Sequence, residues 1–417
     1  MGRRILIIGG GVIGLCSAYA CARLGHQVHV VDAGSEDHAG CSYGNAGMIV
    51  PSHFTPLAAP GMVAIGLKWM WNPESPFYIK PRLDAGLLRW AAGFWRSATV
   101  AHVQRAAPLL RDLHLRSRAW FETFHDSDQL DFGLQRHGLL MLCQGQHALD
   151  EEAAGAEKAR ALGIPAEVLD SKETARHDPA ITMNVAGSVY YPKDCHLAPD
   201  RFMSALRKTL AGLGVQFSWN TPIRTWRCDH ARVIAAAGTS ENFHADRFIL
   251  AGGSWSPSLA DEAGLRLTMQ AGKGYSLTLP HPPQLPRLCS ILTEARVAVT
   301  PMGQTLRVGG TMEISGLDES IDPRRVRGMI RAMSAYYPEF RPEHFEGIQP
   351  WAGLRPCSPD GLPYLGVARR YPNLIVATGH AMMGLSLGPV TGEIAADLAS
   401  DRKPGFDLSL LSPDRTC

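Results

Sequence analysis

The stretch ILIIGGGVIGLCSAYACARLGHQVHVVD, Ile5 to Asp32, decides the fold. Ile5 to Ile8 is continuously apolar, the pattern of a strand buried on both faces. Gly9-x-Gly11-x-x-Gly14 follows at once, and LCSAYACARLG then suits a closely packed helix ending near Gly25. A second apolar run, Gln27 to Val31, closes on Asp32. Strand, glycine turn, helix, strand and acid stand in the order that a dinucleotide-binding fold requires. Gly9 permits the tight turn, Gly11 leaves room for a pyrophosphate, and Gly14 lets helix and strand approach closely. Val12 and Ile13 open the helix, whose positive end would face the phosphates; Asp32, with Ala33 behind it, is placed for a ribose diol.

That fingerprint does not separate NAD from FAD, but its continuation does. An NAD enzyme is expected to run on through further strand–helix units. Here the second strand enters AGCSYGNAGMIVPSH, Ala39 to His53, rich in glycine and small polar groups. Such a piece can lie flat against a large planar cofactor, which moves the reading toward FAD. Ser42, Asn45, Ala46, Gly47 and Met48 are expected to wrap the flavin or its phosphates. Asn242 to Leu250 reads as a strand running into Ala251, Gly252 and Gly253, the second approach to the dinucleotide. Pro222 and Ile223 are placed near the adenine.

Helical patterns cover Leu109 to Phe124, Glu151 to Leu162, Pro199 to Leu210 and Pro323 to Tyr337. Met269 to Leu279 and Val297 to Met312 read as strands, the latter a hairpin over Gly303-Gln304. The fold class that follows is α/β (α+β): a Rossmann-like FAD-binding domain with an inserted substrate domain on a mostly antiparallel sheet. Residues 1–60, 188–268 and 345–417 are assigned to a discontinuous FAD-binding domain, and 61–187 and 269–344 to the substrate domain.

With 417 residues the chain is long enough for two domains, and a formal charge of +2 with no long basic run argues against a nucleic-acid partner. Nine cysteines without a CxxC pair read as reduced thiols of a cytoplasmic chain, and the histidines show no metal-ligand spacing, so no metal is expected. Phe54 to Trp71 and Leu87 to Trp95 are apolar and tryptophan-rich, but prolines, a lysine and their length speak against a spanning helix. They leave room for peripheral contact with the inner face of a membrane, beside the plainer reading as a buried lining.

WAGLRPCSPDGLPYLG, Trp351 to Gly366, holds a single basic residue, Arg355, among apolar and turn-forming positions. A guanidinium stays charged and is costly to bury without a partner. It is either an anchor for a substrate carboxylate or half of an internal ion pair, for instance with Asp360. Together with GGGVIG, CSYGNAGMI, KGYSLT, GGTMEISG and TGHAMMGLSLGPVTGEIAADL, this segment resembles the FAD-dependent D-amino acid oxidase type of oxidoreductases. The likeness is greatest to bacterial D-amino acid and D-hydroxyproline dehydrogenases, and it spans nearly the whole chain. The resemblance implies a flavin buried between a nucleotide domain and a substrate sheet, with the substrate Cα–H over N5 for hydride transfer. It implies that Arg355 grips the carboxylate, that Tyr275 belongs to the site, and that Gly379 to Gly388 passes beneath the ring, bringing Gly379, His380, Met383, Gly384, Leu385 and Ser386 to the cofactor. Ala381-Met382-Met383 stands where some relatives carry a second arginine. Cys357 is not placed as a flavin tether, so FAD is expected to be non-covalent.

Amine oxidation asks the protein mainly to position Cα and favour the neutral amine. Tyr275 could orient the carboxylate or amine, or be a core tyrosine. His380 could touch flavin or substrate, or be structural, and His53 could face the substrate or be a bystander. The expected activity is oxidation of a small D-amino or cyclic imino acid, D-proline or D-hydroxyproline among them, to an imine, with electrons passed to a quinone or another redox partner. A glycine- or sarcosine-type oxidase using oxygen, a flavin monooxygenase and a non-catalytic flavin-binding subunit are the alternatives. Oligomeric state is not legible.

Overall fold

A computed structural model describes residues 2–415 except 38, 39, 71, 73, 83, 129 and 130. Ala39, Trp71 and Cys417, which belong to stretches read above, lie outside the described residues. The opening strand is Arg4–Ile8, the helix Val12–Arg23 and the second strand Gln27–Val31. They form the centre of a six-stranded sheet. Arg4–Ile8 pairs in parallel with Gln27–Val31 and with Arg247–Leu250, which pairs in parallel with Tyr371–Thr378. Gln216–Ser218 continues one edge in parallel, and Tyr364–Ala368 closes the other antiparallel. Three distant parts of the chain thus build one nucleotide sheet.

Its central strands are apolar on both faces because helices cover one side and the three-stranded sheet of Ile223–Cys228, Val233–Gly238 and Asn242–His244 packs on the other. The helix Gly384–Ala399 lies along Val12–Arg23. A Cβ on Gly388 would meet Val12 and Cys16, and one on Gly392 would come within 2.4 Å of the Cys16 carbonyl oxygen. Val12 facing Gly388 and Cys16 facing Gly392 means that the two helices run in the same direction. Both N-termini therefore open at the C-terminal edge of the parallel strands, where ligands of such sheets bind.

The second sheet is mixed and nine-stranded. Gln270–Leu279 lies between Trp351–Cys357 and the long strand Thr305–Ile314, antiparallel to both. The hairpin expected over Gly303 is present between Val297–Met302 and Thr305–Ile314. Helix Pro323–Tyr336 packs beneath this sheet. Gly187–Tyr191 and Trp351–Cys357 also hydrogen-bond into it. Those two strands belong to the larger sheet, so strand pairing crosses the expected segment starts at 188 and 345, which turn residues marked in sequence. Met62–Trp69 and Ala85–Ser97 are helices, and no described helix is long and apolar enough to cross a membrane.

Candidate active site

The glycine turn has the geometry its sequence requires. Gly9 has φ 114°, and a Cβ on Gly14 would sit 1.8 Å from the Gly9 carbonyl oxygen, so that close approach excludes any side chain. Gly11 caps the helix without a side-chain bond, and Val12 N–H donates to Ser42 Oγ at 3.0 Å. Ile13 and Gly14 complete a helix N-terminus suited to a pyrophosphate. Asp32 accepts from Gly10 N–H at 2.6 Å and Gly34 N–H at 2.7 Å. Its carboxylate holds the turn and keeps lone pairs for a ribose, while Ala33 beside it is exposed. Thr221 N–H donates to the Asp32 carbonyl, which brings Pro222 and Ile223 to the Asp32 end of the turn.

The segment after Gly40 is fixed against the larger sheet. Asn45 Oδ1 accepts from Gly47 N–H at 2.8 Å, Gly47 has φ 76°, and Met48 pairs with His196. Arg307 donates to the carbonyls of Tyr43 and Asn45, and Gly44 packs on the Trp351 indole. A Cβ on Gly309 would lie 3.7 Å from the Ala46 Cβ. From the other side, Val50 N–H donates to Ser386 Oγ in the first turn of Gly384–Ala399. Ala251 N–H donates to the Ile8 carbonyl, Ser254 Oγ to the Leu354 carbonyl, and Thr378 Oγ1 to the Gly253 carbonyl. These bonds bring Ala251, Gly252, Gly253, Gly379 and the Arg355 strand to one place; a Cys357–His380 bridge adds the last turn. Two open helix ends, a glycine cradle and a flat, sheet-backed loop are what an extended dinucleotide with a planar ring needs.

Arg355 lies across Gly274. A Cβ there would come within 2.2 Å of both guanidinium nitrogens, so the GKG sequence makes the space. Nη1 donates to the Thr311 carbonyl at 2.6 Å. Thr311 has φ 65°, strained for a β-branched residue, at an irregularity in the pairing of its strand with Lys273 to Tyr275. Burial pulls the guanidinium below its usual range, and no carboxylate among the described residues lies within ion-pair distance. Asp360 is not its partner, because it pairs with Arg415 at 2.7 Å.

The other predicted groups are placed differently. Gly272 faces Arg355 in register and Tyr275 faces Ala352, so Tyr275 points from the opposite side of the strand. Its hydroxyl donates to Glu313 at 2.8 Å in the core under the sheet, which corrects the expectation of a cavity-facing tyrosine. His380 is buried, bonded through Nε2 to Thr391 Oγ1 at 2.9 Å, and pushed down to about 3 by that burial, so it is neutral. Met383 packs on His114 and Leu385 lies in the core, whereas Met382 is exposed; Met312 and Cys357 flank Gly272, which pairs with Arg355, and cluster with Ala381. Cys357 is fully buried. His53 is half-buried, bonded through Nδ1 to Ser52 Oγ at 3.0 Å, and lowered to about 4 by desolvation.

Sequence reading missed Trp351 and Arg307, which seat the 43–46 segment. Trp351 was legible in principle: it stands an even number of residues from Arg355 in one strand and so shares its face. Arg307 was hidden in a hairpin read only for its turn.

The chain matches the FAD dependent oxidoreductase (DAO) family over residues 4–398. It belongs to that family. It is 32% identical over 421 residues to a D-amino acid dehydrogenase of Bradyrhizobium diazoefficiens, covering 99% of this chain and 98% of the relative. A D-amino acid dehydrogenase of Helicobacter pylori is 30% identical, with 99% of each chain covered. Glycine oxidase from Geobacillus kaustophilus superposes over the full length of both chains with a TM-score of 0.80 at 25% identity. The protein is therefore an FAD-dependent oxidoreductase.

Proposed function

We propose that the protein is a dehydrogenase of small D-amino or cyclic imino acids, D-proline and D-hydroxyproline among them, that passes electrons to a quinone. The observation that carries this reading is Arg355: a guanidinium with no carboxylate of the described chain beside it, on a glycine-floored face against the flavin loop. It suits a monocarboxylate gripped by two parallel charge-assisted bonds. The cluster of Met312, Cys357 and Ala381 suits a hydrocarbon ring. D configuration is supported by the dehydrogenase relatives at 30–32% identity. Bound FAD would supply the hydride acceptor; Arg355 would fix the carboxylate and hence Cα.

The acceptor reading rests on the outside of the same region. Helix Ala85–Ser97 sends Leu87 and Trp90 inward, where Trp90 Nε1 donates to the Cys357 carbonyl at 2.9 Å. Its outer face leaves Leu88 66% and Trp95 70% exposed, and Leu67 of the neighbouring helix is 60% exposed. Gly61, Val63, Ala64, Leu67, Trp95 and Ala98 line a cleft of about 330 Å³. Exposed Lys68, Arg89 and Arg96 ride on these two helices, the composition of a face that rests on an anionic bilayer. A membrane-dissolved acceptor would then meet the enzyme one side-chain layer from Arg355.

Anaerobic mixing of the yellow holoprotein with D- and L-amino acids and cyclic imino acids tests the substrate. Bleaching by small D-acids or D-proline is expected, and no bleaching by any of them refutes the reading. Reoxidation by a short-chain quinone should outrun reoxidation by oxygen; the reverse would make the protein an oxidase. Vesicles containing phosphatidylglycerol should sediment the protein, and Leu88→Glu with Trp95→Glu should abolish this.

A further inference from the structure

A buried carboxylate outside the flavin cradle is hydrogen-bonded through Ser52 to His53, on the segment that leaves the cradle. Asp194 stands in the turn between Gly187–Tyr191 and Cys195–His196, the second of which pairs with Met48–Ile49. It is fully buried, and none of the described cations pairs with it. Ser52 N–H donates to Oδ1 at 3.1 Å and Ser52 Oγ donates to Oδ2 at 2.5 Å. The same hydroxyl lies 3.0 Å from His53 Nδ1. His53 Nε2 makes no hydrogen bond to a described residue. Only Pro51 separates Ser52 from Val50; His53 N–H donates to the Val50 carbonyl at 3.0 Å, and Val50 N–H is bonded to the flavin-side helix through Ser386.

One hydroxyl has one proton, and this sets the histidine's tautomer. While Asp194 is a carboxylate it takes the Ser52 proton, so the serine oxygen must accept from His53 Nδ1–H and Nε2 is a bare acceptor. Once Asp194 is protonated, it donates to Ser52, Ser52 donates to Nδ1, and Nε2 carries the hydrogen.

We propose that Asp194 is the terminal acceptor of the substrate ammonium proton, reached through His53 and Ser52. This rests on the amino-acid reading above. An ammonium N–H bond breaks as His53 Nε2–H forms, His53 Nδ1–H passes to Ser52 Oγ, and the Ser52 proton passes to Asp194 Oδ2. The products are a neutral amine, a neutral histidine in the other tautomer and a neutral acid. One positive and one negative charge disappear from a buried site, which low polarity favours. Ser52 and Asp194 are positioning and relay residues, with His53 nearest the amine.

Burial raises Asp194 to about 7. The relay is open above that pH, where the carboxylate is charged, and closes as pH falls through it. Arg118, Tyr191, Cys195 and Cys289 face Asp194, and Arg296 and His114 face His53. Burial keeps Tyr191 and both cysteines protonated and His114 neutral across the window.

The test uses ¹⁵N-histidine NMR of the holoenzyme beside steady-state kinetics, with His53→Gln to assign the signal. Wild type should show bare Nε2 above pH 7 and protonated Nε2 below it. Asp194→Asn, whose amide donates to Ser52, should lock Nε2–H at every pH, lose the inflection near 7, and lower kcat/KM at pH 8 by about 10²-fold or more. Ser52→Ala should also abolish the pH-linked tautomer change, and Ser52→Thr, which keeps the hydroxyl, should restore it. If the tautomer and the pH profile are the same in wild type, Asp194→Asn and Ser52→Ala, the proposal is overturned. Should Asp194→Asn not fold, the Ser52 pair gives the same decision. Wild-type flavin untouched by every amino acid would instead refute the substrate reading, and the tautomer result would still decide the relay.

Discussion

Lys273, buried, and Arg355, half-buried, are two cations on opposite faces of the same pair of strands, and the chain treats them in opposite ways. Lys273 Nζ donates to the Ser320 carbonyl at 2.8 Å and lies 3.4 Å from Asp318 and 3.6 Å from Glu313, while Tyr275 also binds Glu313. Its charge is answered from within. Arg355 receives one carbonyl, a glycine floor and no described carboxylate. Desolvation costs are similar in kind, so the cation left without an anion is the one held for a ligand. Burial of a charge therefore does not mark a site; an unanswered, partly buried charge beside a cofactor cradle does.

The comparison can be broken most forcefully at Lys273. Lys273→Met strands Glu313 and should destabilise the protein by roughly 3–5 kcal/mol in chemical denaturation; a stable variant with a raised KM would put the site on the wrong face. Arg355→Met should leave FAD content and stability near wild type and raise KM for the carboxylate substrate by about 100-fold. Gly274→Ala pushes only on the mobile end of Arg355, so it should fold and bind FAD yet raise KM by roughly tenfold, because displacement of an anchor is penalised steeply. Tyr275→Phe should cost about 1–2 kcal/mol of stability through the lost bond to Glu313, with KM unchanged. The smallest effect concerns Asp318, lowered to about 2 first by backbone and side-chain bonds from Ser320 and then by Lys273. A depressed carboxylate stabilises above its unfolded pKa near 3.8, and the gain is lost as pH falls toward 2. Acid titration of Asp318→Asn should show a shallower loss in that window than wild type.

The nucleotide half was legible because its signal is local: Gly9, Gly11, Gly14 and Asp32 fall within one strand–helix–strand unit whose spacing is set by backbone geometry. Arg355 was legible as an oddity, a lone cation in an apolar run. The side of the sheet taken by Tyr275 was not, because it depends on register between strands some 80 residues apart and on an irregularity at Thr311. Asp194 left no mark either. In PKDCH it reads as a turn acid, and only the pairing of Cys195–His196 with Met48–Ile49 buries it beside Ser52.

Anaerobic titration of the flavin in wild type and Arg355→Met with D-proline, or with whichever small D-acid bleaches wild type most readily, bears most directly on the central claim. The account predicts that wild type is reduced and that the variant, with its full complement of FAD, needs about 100-fold more substrate for half-maximal reduction rate. Equal half-saturation in the two proteins would contradict it and return Arg355 to the company of Lys273.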